Sequence, residues 1–274
     1  MPISIDISNR IKGSTPSGPP VPAFDPDAQA FITATAITDT TQQNAIDALV
    51  IGLKTDLLWN KMLAVYPFVG GTATTCKYNL KNPLDTDAAF RLFFFGGWNF
   101  SNNGIQPNGT NTYADTFLIP LTYWTLNDGS VSAYSRTNVN ENKVLYGSKG
   151  PTFSSAVYPI FNTTTANVLH NTVSSVYISP TPTTTAVNLI SSRKNPNELI
   201  VAVNGTATPY ANTPTALSPV SIYLSARNNN NASDDLHSSR ELAFAHIGNG
   251  LTQAECTLLY NRIQTFQTTL GRQV

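Results

Sequence analysis

The sequence is poor in the residue types that most enzymes use for chemistry. Charged residues make up 12% of its 274 residues, about half of the usual share in globular proteins. A glycosidase needs two carboxylates flanking one bond, which on a single strand means acids two or four residues apart. The close aspartate pairs fall at a predicted helix start or in turn-like sequence, and the glutamates are widely separated, at Glu141, Glu198, Glu241 and Glu255. The sequence therefore predicts no glycoside hydrolase and no other enzyme.

Histidine is equally scarce, and its three copies form no recognisable site. The chain has no G-x-S-x-G, H-x-x-x-H, C-x-x-C or P-loop spacing, so nothing indicates nucleophilic catalysis, zinc or nucleotide binding. His170, His237 and His246 are scattered; we expect His246 in a core strand and His237 in a surface loop. The formal net charge of zero gives no basic surface for nucleic acid or an anionic membrane.

Cysteine and long apolar runs are also nearly absent. Cys76 and Cys256 are too few for a disulfide scaffold, and we expect two free, buried thiols, although a single disulfide stays open. No stretch approaches the ~20 apolar residues of a membrane span, so we expect no membrane insertion. The N-terminus lacks a basic start followed by an apolar run, which predicts no secretory signal.

Residues 1–24 have the composition of an arm. Proline and glycine dominate "KGSTPSGPPVPAF", which is typical of a linker. Before it, Ile3, Ile5 and Ile7 alternate with polar residues, a strand pattern that is too short to stand alone. The arm is therefore either an attachment segment that docks on another chain or a disordered terminus.

Residues 25–71 predict a helical lead-in. Asp25 before a proline is an N-cap signal, and Asp39 begins a longer helix with a capping-box spacing. Apolar residues of one helix face recur as far as Leu57. We expect the helical pattern to end near Pro67 and the glycine pair that follows. The residues of that face are Ile46, Leu49, Val50, Leu53 and Leu57.

Residues 72–274 predict one jelly-roll-type domain that ends in a helix. Strands without a convincing helix fill the region up to about residue 248, and Asn204-Gly205 marks a hairpin of the type I′ class. The segment "AFRLFFF" (89–95) is apolar on both faces, which predicts a central strand covered twice. The other strand segments are 131–137, 175–179, 185–192, 198–211, 220–227 and 240–248.

The last segment predicts a helix that packs on the strands. Thr252 and Glu255 form a capping-box pattern, and Gly271 stands where a C-terminal cap glycine belongs. An apolar stripe recurs at spacings of three and four residues and must lie against other apolar residues. Its members are Cys256, Leu259, Ile263, Phe266 and Leu270.

Five segments of the chain form a recognisable set: "YPFVGG", "DAAFRL", "PNGTNTYADTFL", "IGNGLT" and "YNRIQTFQTTLGR". They resemble one group of bacteriophage virion proteins that carry a concanavalin A-like lectin/glucanase (laminin G-like) domain, and the likeness runs from about residue 28 to the C-terminus. The resemblance implies a mainly β, jelly-roll sandwich of two antiparallel sheets, with an N-terminal helical segment and a C-terminal helix. It implies a tail, fibre or other structural protein of the virion, and it supplies no catalytic motif and no ligand.

The best-motivated site hypothesis is a carbohydrate site in the stretch that follows "RLFFFGG". Lectin sites combine aromatic rings with amide and carboxylate side chains, because sugars offer apolar faces and many hydroxyls. This stretch contains Trp98, Asn99, Asn111, Tyr113 and Asp115. The alternative is a connection between strands with Trp98 packed on the core, and both readings stay open at this point.

Calcium is the one inorganic cofactor that the sequence suggests, and otherwise we expect none. The loop "ARNNNNASDDLHSS" (226–239) concentrates oxygen ligands, among them Asn228, Asp234 and Asp235. Calcium binds six to eight such oxygens, but the spacing is not that of an EF-hand. A long polar loop that is merely solvated explains the same residues.

The sequence as a whole favours a non-enzymatic virion structural protein. We expect it to reside in the virion, to contact other virion proteins through the arm, and to form a homo-oligomer. The rival hypothesis is a carbohydrate-binding adhesin, a fibre or spike protein that contacts a glycan of the host surface.

The arm gives the first testable prediction. Deletion of residues 1–24 should leave a folded domain that no longer joins the particle, because Ile3, Ile5 and Ile7 would no longer be there to dock. The measurement is the content of truncated protein in purified particles. Normal incorporation of the truncated protein would contradict the attachment role.

Overall fold

The computed structural model describes residues 1, 24–137, 139–151, 154–162, 165–178 and 187–273. Within these ranges no helix is long and apolar enough to cross a membrane. The predicted arm up to residue 23 lies outside the described residues apart from Met1, so docking by Ile3, Ile5 and Ile7 stays a prediction.

The helices are α1 (Pro26–Thr35), α2 (Thr40–Thr55), α3 (Ala73–Cys76), α4 (Pro120–Tyr123) and α5 (Gln253–Thr269). The strands are β1 (Met62–Tyr66), β2 (Phe93–Phe95), β3 (Asn99–Ser101), β4 (Gly104–Gln106), β5 (Tyr113–Asp115), β6 (Gly129–Ser135), β7 (Tyr146–Lys149), β8 (Ser154–Asn162), β9 (Thr165–Thr172), β10 (Val176–Ile178), β11 (Val187–Asn195), β12 (Glu198–Val203), β13 (Thr206–Ala211), β14 (Tyr223–Leu224), β15 (Arg227–Asn229), β16 (Ser233–Asp235) and β17 (Leu242–Gly248).

The strands form two sheets. Sheet 1 has the order β13-β12-β11-β6-β17-β4-β3, and β1 also pairs with β17. Sheet 2 has the order β10-β9-β8-β7-β14-β5-β2, and the β15–β16 hairpin is attached to β7. All these pairings are antiparallel except that of β15 with β7, which is parallel. The predicted sandwich of two antiparallel sheets is therefore confirmed.

Side-chain alternation in sheet 1 separates two apolar cores. In β6, Val131 and Ala133 are buried against sheet 2, whereas Tyr134 is buried against the helices. Successive residues of a strand point to opposite faces, so the central strands β6, β11, β12 and β17 contribute to both cores. The molecule accordingly has three layers: helices, sheet 1 and sheet 2.

The two predicted helix starts are confirmed by their caps. The Asp25 side chain accepts a hydrogen bond from the backbone N–H of Asp27 at 3.0 Å. The Asp39 side chain accepts one from the backbone N–H of Gln42 at 2.8 Å. Each carboxylate satisfies an N–H group that has no partner inside the helix, which is why these positions begin helices.

The predicted end of the second helix is wrong. Helix α2 ends at Thr55, and Leu57 has a left-handed backbone (φ 59°) and is 78% exposed. Residues Met62–Tyr66 form β1, which pairs with β17. A strand partner so distant in the chain has no signature in the local sequence, and its hydrogen bonds override the helical spacing before Pro67 is reached.

The prediction of a central strand over 89–95 is also wrong. Only Phe93–Phe95 forms a strand, β2, and it is the edge strand of sheet 2. Phe94 points into the core, whereas Phe93 and Phe95 are 49% and 47% exposed. Apolar residues on both faces of a strand do not show whether both faces are buried or one of them stays exposed to solvent. The region also contains two one-turn helices, α3 and α4, where none was expected.

The C-terminal helix is confirmed in its cap, its stripe and its packing. Thr252 and Glu255 form the capping box, and Phe266 of the stripe is 2% exposed in the core between the helices and sheet 1. Arg262 of α5 makes two hydrogen bonds to Asp56, at 2.7 and 2.9 Å. Both cysteines are free and buried, as expected.

A buried arginine holds the end of this helix to the sandwich. The Arg272 guanidinium donates to the carbonyl oxygens of Pro67 (2.6 Å), Phe68 (2.7 Å) and Ala243 (2.9 Å) and to the Gln267 side chain. Burial lowers the pKa of Arg272 to about 9. Its five N–H donors suit this role because backbone carbonyls left over at strand ends need partners.

Two histidines are structural residues of the interior. His246 lies between the hydroxyls of Ser132 (2.7 Å from Nδ1) and Ser130 (3.1 Å from Nε2), which confirms its predicted core position. His170 has Nδ1 2.9 Å from the Ser191 hydroxyl. Burial lowers the pKa of each imidazole to about 3, and for His170 a nearby arginine adds to the effect.

Truncation of the α5 stripe tests the packing. Phe266→Ala should lower the free energy of unfolding by about 3–5 kcal/mol, because it leaves a cavity in the core between α5 and sheet 1. Leu258→Ala, on the exposed face of the same helix, is the matched control and should stay within about 0.5 kcal/mol of the parent. Denaturant unfolding of both variants is the measurement. A Phe266→Ala value as small as the control would mean that α5 does not lie on the sandwich.

The buried histidines predict a loss of stability in mild acid. Their pKa is near 6.5 in the unfolded chain and about 3 in the folded protein, so the unfolded state binds more protons as the pH falls. The stability they contribute is complete above pH ~6.5 and is lost as the pH falls toward 3, by at most about 3 kcal/mol per pH unit for both together. Unfolding between pH 6 and 4.5 measures the slope, and His246→Gln should remove about half of it. A free energy of unfolding that stays constant over this interval would contradict the assignment.

Candidate functional site on the outer face of sheet 2

Three adjoining strands of sheet 2 bring aromatic and acidic side chains to one face. The register places Phe94 beside Ala114, and Ala114 beside Leu224, and these three side chains are in the core between the sheets. Alternation then turns the residues on either side of them outward, away from sheet 1. We call this outward set the aromatic strip: Phe93, Phe95, Tyr113, Asp115 and Tyr223.

The rings of the strip stand side by side across the strands. The ring centroids of Phe95 and Tyr113 are 5.0 Å apart with an interplanar angle of 21°, and those of Tyr113 and Tyr223 are 4.3 Å apart at 8°. Phe95 therefore has one ring face against Tyr113 and the other toward the open edge of the sheet. The exposed ring face of Phe95 and the neighbouring Phe93 can receive the apolar C–H face of a sugar.

Asp115 supplies a hydrogen-bond acceptor inside the strip. The register sets it between Phe93 on one side and Tyr223 on the other. Its side chain accepts from the backbone N–H of Phe117 at 2.8 Å. Burial raises the pKa of Asp115 above its usual range. An ionised carboxylate has room for several donors, so the hydroxyls of a ligand can bind to it.

An arginine–aspartate pair bounds the strip on the side of β7. Arg227 donates from Nε and Nη2 to the two oxygens of Asp235, both at 2.8 Å. Gly147 of β7 permits this approach, because a Cβ there would lie 3.0 Å from Cβ of Arg227. Tyr223 is the register partner of the same glycine, so the ion pair adjoins the strip.

His237 lies in the loop between β16 and β17, as expected for a loop residue, but its side chain is largely covered and sits beside this pair. Its side chain is mostly buried, Nε2 lies 3.3 Å from an Asp234 oxygen and Nδ1 lies 3.0 Å from the carbonyl oxygen of Thr112. The carbonyl sits directly before β5, which explains how a residue after the β15–β16 hairpin becomes fixed next to the strip.

The predicted calcium ligands lie in the β15–β16 hairpin and contact protein groups. Asn228 is buried and hydrogen-bonds Asn231 through both its carbonyl and its amide group. Asp235 pairs with Arg227, and Asp234 faces a histidine. Among the described residues, no group of three or more His, Cys, Asp or Glu side chains is placed to hold a metal ion. The hairpin's own hydrogen bonds account for its many oxygen atoms.

Of the five residues of the predicted carbohydrate site, the structure places two in the aromatic strip and three elsewhere. Tyr113 and Asp115 are in the strip, but Trp98 packs toward the core, with its ring 5.3 Å from Phe94 and its Nε1 donating to the carbonyl oxygen of Phe95 at 2.9 Å. Asn99 is exposed on β3, in the other sheet. The reading in which Trp98 packs on the core is therefore the one that the structure shows for this residue.

Asn111 belongs to a tight turn that connects β4 of sheet 1 to β5 of sheet 2. The Asn108 side-chain oxygen accepts from the backbone N–H groups of Thr110 (2.9 Å) and Asn111 (3.2 Å), and its amide donates to the Asn111 side chain at 2.7 Å. Side chains of this type often replace backbone partners in turns. The polar stretch is thus a self-bonded turn that positions β5, and Asn111 is part of this turn and not of the strip.

Sequence reasoning missed Phe93, Phe95 and Tyr223. The phenylalanines were assigned to a covered strand, and nothing in the apolar run indicates that its outer side is exposed. For Tyr223 a signal exists, because the alternation over 220–227 already turns it away from the buried Ile222 and Leu224. Its pairing with Tyr113, however, depends on the order of the strands in the sheet.

The clearest concavities lie elsewhere. One of them also combines an aromatic residue with an acid, but that acid, Glu198, accepts a hydrogen bond from the Asn195 amide at 2.8 Å. Two adjoining ones of about 230 and 200 Å³ share Asp39 and Gln42 at the corner between α1 and α2. A wider one of about 490 Å³ lies beside the edge strand β13 and is lined by Glu198 and Tyr210. Asp39 and Gln42 are already engaged in helix capping and in a hydrogen bond to the backbone of Gly70. The aromatic strip is therefore the stronger candidate, although it is a surface and not a cavity.

Comparisons with known proteins support the fold. No protein-family model matches the sequence, and no curated protein matches it either. The botulinum neurotoxin serotype D binding domain is similar in structure, with a TM-score of 0.50 and 9% identity over 74% of this chain and 52% of that one. A mutant of Trypanosoma rangeli sialidase displaying trans-sialidase activity is similar with a TM-score of 0.52 and 11% identity over 81% of this chain and 39% of that one. This chain thus spans about half of the first protein's length and about two fifths of the second's. The chain has the fold of a lectin-like, mainly antiparallel β-sandwich.

Proposed function

We propose that this protein is a non-enzymatic component of a bacteriophage virion and that its lectin-like domain binds glycan through the aromatic strip. The virion part rests on the resemblance of segments such as "YPFVGG" and "YNRIQTFQTTLGR" to phage virion proteins. The glycan part rests on the strip. The two parts are independent, and each has its own test.

The observation that carries the glycan proposal is the exposure of Phe93 and Phe95 beside Asp115. Two neighbouring phenylalanines about half exposed on one sheet face are a surface that favours contact with something apolar. The adjacent carboxylate requires the same ligand to carry hydrogen-bond donors. A sugar meets both conditions, because one side of its ring presents C–H groups and its rim presents hydroxyls.

The strip is shallow, so the binding we propose is weak for a single domain. A solvated sugar on an open sheet face makes few contacts, and we expect a dissociation constant near 1 mM, about −4 kcal/mol. Several copies on one particle can still hold a surface firmly, because linked sites raise the avidity by roughly 10²–10⁴ without new contacts.

The carboxylates around the strip support the non-enzymatic part. Asp235 is bound to Arg227, and Asp87 is bound to Arg91 at 2.9 Å. Asp115 is the strip's own carboxylate, and it accepts a hydrogen bond from the backbone N–H of Phe117. A glycosidase needs two carboxyl groups at the same bond, one acting as the acid. We therefore propose sugar binding without hydrolysis.

A purely structural role is the second candidate. The exposed phenylalanines lie on the edge strand β2, and an unpaired strand edge is also a surface on which another chain can pack. In that case a second copy of this chain or another virion protein covers the strip in the particle, and no glycan contacts it. The homo-oligomer expected from the sequence would fit this arrangement.

A glycan array with the protein both free and multimerised tests the proposal. The multimer should bind at least one glycan, and Phe95→Ala should weaken that binding at least about tenfold, ~1.4 kcal/mol, because the stacking face is lost. Asp115→Asn should also weaken it. Tyr177→Ala is the matched control: this exposed tyrosine lies on β10, at the opposite edge of the same sheet, and its loss should leave binding unchanged.

Three other outcomes decide between the candidates. If the multimer binds no glycan, the adhesin role is wrong and the structural one stands. If a reducing-end assay on host polysaccharides detects products, the protein is an enzyme. If purified particles lack the protein, the virion part is wrong, whatever the array shows.

A further inference from the structure

The aromatic strip lies in negative surroundings. Asp115 is inside it. Asp234 of β16 is held near β5 by His237, which lies 3.3 Å from an Asp234 oxygen and 3.0 Å from the carbonyl oxygen of Thr112, the residue before Tyr113. Burial first, and then the charges of Asp115 and Asp234, raise the pKa of both Tyr113 and Tyr223. Asp87 also acts on Asp115. A ligand on the strip therefore meets carboxylates from two directions.

The cations near the strip are engaged or displaced. The Arg227 guanidinium makes two hydrogen bonds to Asp235 and is largely covered. Arg91 is bound to Asp85 (3.0 Å) and Asp87 (2.9 Å). Lys149 is on β7 two residues beyond the register partner of Tyr223, toward the end of the sheet away from Tyr113. To gain a positive partner, an anionic ligand would have to break one of the two arginine ion pairs or extend beyond the strip to Lys149.

Neutral and anionic sugars thus face different conditions. A neutral sugar donates hydroxyl hydrogen bonds to Asp115 and stacks on the rings, and it carries no charge for the carboxylates to repel. A sugar carboxylate has no donor for Asp115 and is repelled by it. Two unit charges about 6 Å apart at an effective dielectric of about 20 disfavour binding by about 100-fold, and salt and the nearby cations reduce this value.

We infer that the aromatic strip binds uncharged sugars and rejects anionic ones, such as sialylated or uronate-containing glycans. This inference rests on the proposed function and adds to it the chemical class of the ligand. Stacking on Phe95 makes the strip a sugar site, and Asp115 and Asp234 decide which sugars it accepts.

The experiment uses glycans in pairs that differ only in charge. The multimerised full-length protein is tested on N-acetyllactosamine and its sialylated form, and on glucose oligomers and the matching glucuronate oligomers. For each pair that binds, the neutral member should bind at least about tenfold more tightly at low salt. Raising the salt concentration from about 0.05 to 0.5 M should narrow the difference, because the Debye length shortens.

Isosteric variants assign the selectivity to the strip. Asp115→Asn and, separately, the more exposed Asp234→Asn should each narrow the neutral-to-anionic ratio at least about threefold. Asp39→Asn is the matched control. It removes one negative charge at the start of α2, beyond sheet 1, where asparagine caps a helix as well as aspartate does, so the ratio should not change.

The outcomes separate this inference from the proposed function. If anionic members bind as tightly as the neutral ones, and Phe95→Ala still abolishes binding, the strip is a sugar site but the inferred class is wrong. If the ratio of neutral to anionic affinity stays the same in both Asp115→Asn and Asp234→Asn, these carboxylates do not cause the selectivity, and the inference is again wrong. If no glycan of either kind binds, the proposed function fails and the inference fails with it.

Discussion

The rest of the structure depends on the burial of sheet 1 on both of its faces. All seven residues of β6 are buried, and this strand lies between β11 and β17 at the centre of the sheet. Helices α2 and α5 cover one face, and sheet 2 covers the other. Because the helices are on sheet 1, sheet 2 has one face in the core and one face outside. The position of the candidate site follows from this asymmetry.

The doubly covered sheet contains polar groups that must find partners inside the protein. Ser130 and Ser132 flank His246. Arg272, which follows α5, donates hydrogen bonds to the backbone carbonyls of Pro67, Phe68 and Ala243. Buried polar groups without partners are costly, and these networks remove the cost for most of them. They also fix His246 and Arg272 as structural residues of the interior.

The outer face of sheet 2 places exposed aromatic rings beside carboxylates. Phe93 and Phe95 are exposed on a strand of only three residues, and such a short edge gives little opportunity for unwanted strand pairing. Asp115 and Asp234 keep the same patch hydrated and negatively charged. Weak, repeated contact with neutral sugars, as we propose, and coverage by another protein chain are both compatible with this surface, and glycan binding by the multimerised protein distinguishes them.

Local hydrogen bonding made part of this protein predictable from the sequence. The caps at Asp25, Asp39 and Thr252 and the Asn204-Gly205 turn each involve residues within a few positions of one another, and all four are present, the two turn residues with positive φ. The sandwich class also followed, from strand patterns, turn residues and a family resemblance. Of the candidate site, Tyr113 and Asp115 were found, because an aromatic residue and an acid occur together in a polar stretch.

Long-range pairing decided the remainder. Met62–Tyr66 is a strand because β17 supplies its backbone partners, and Phe93 and Phe95 are exposed because β2 has a neighbour on one side and its outer face has no cover among the described residues. Tyr223 joins Tyr113 only through the order of strands in sheet 2. The sequence by itself determined which residues cap, turn and alternate, since these depend on near neighbours. Only the tertiary structure decided which faces are covered, since burial depends on which distant strands and helices pack together.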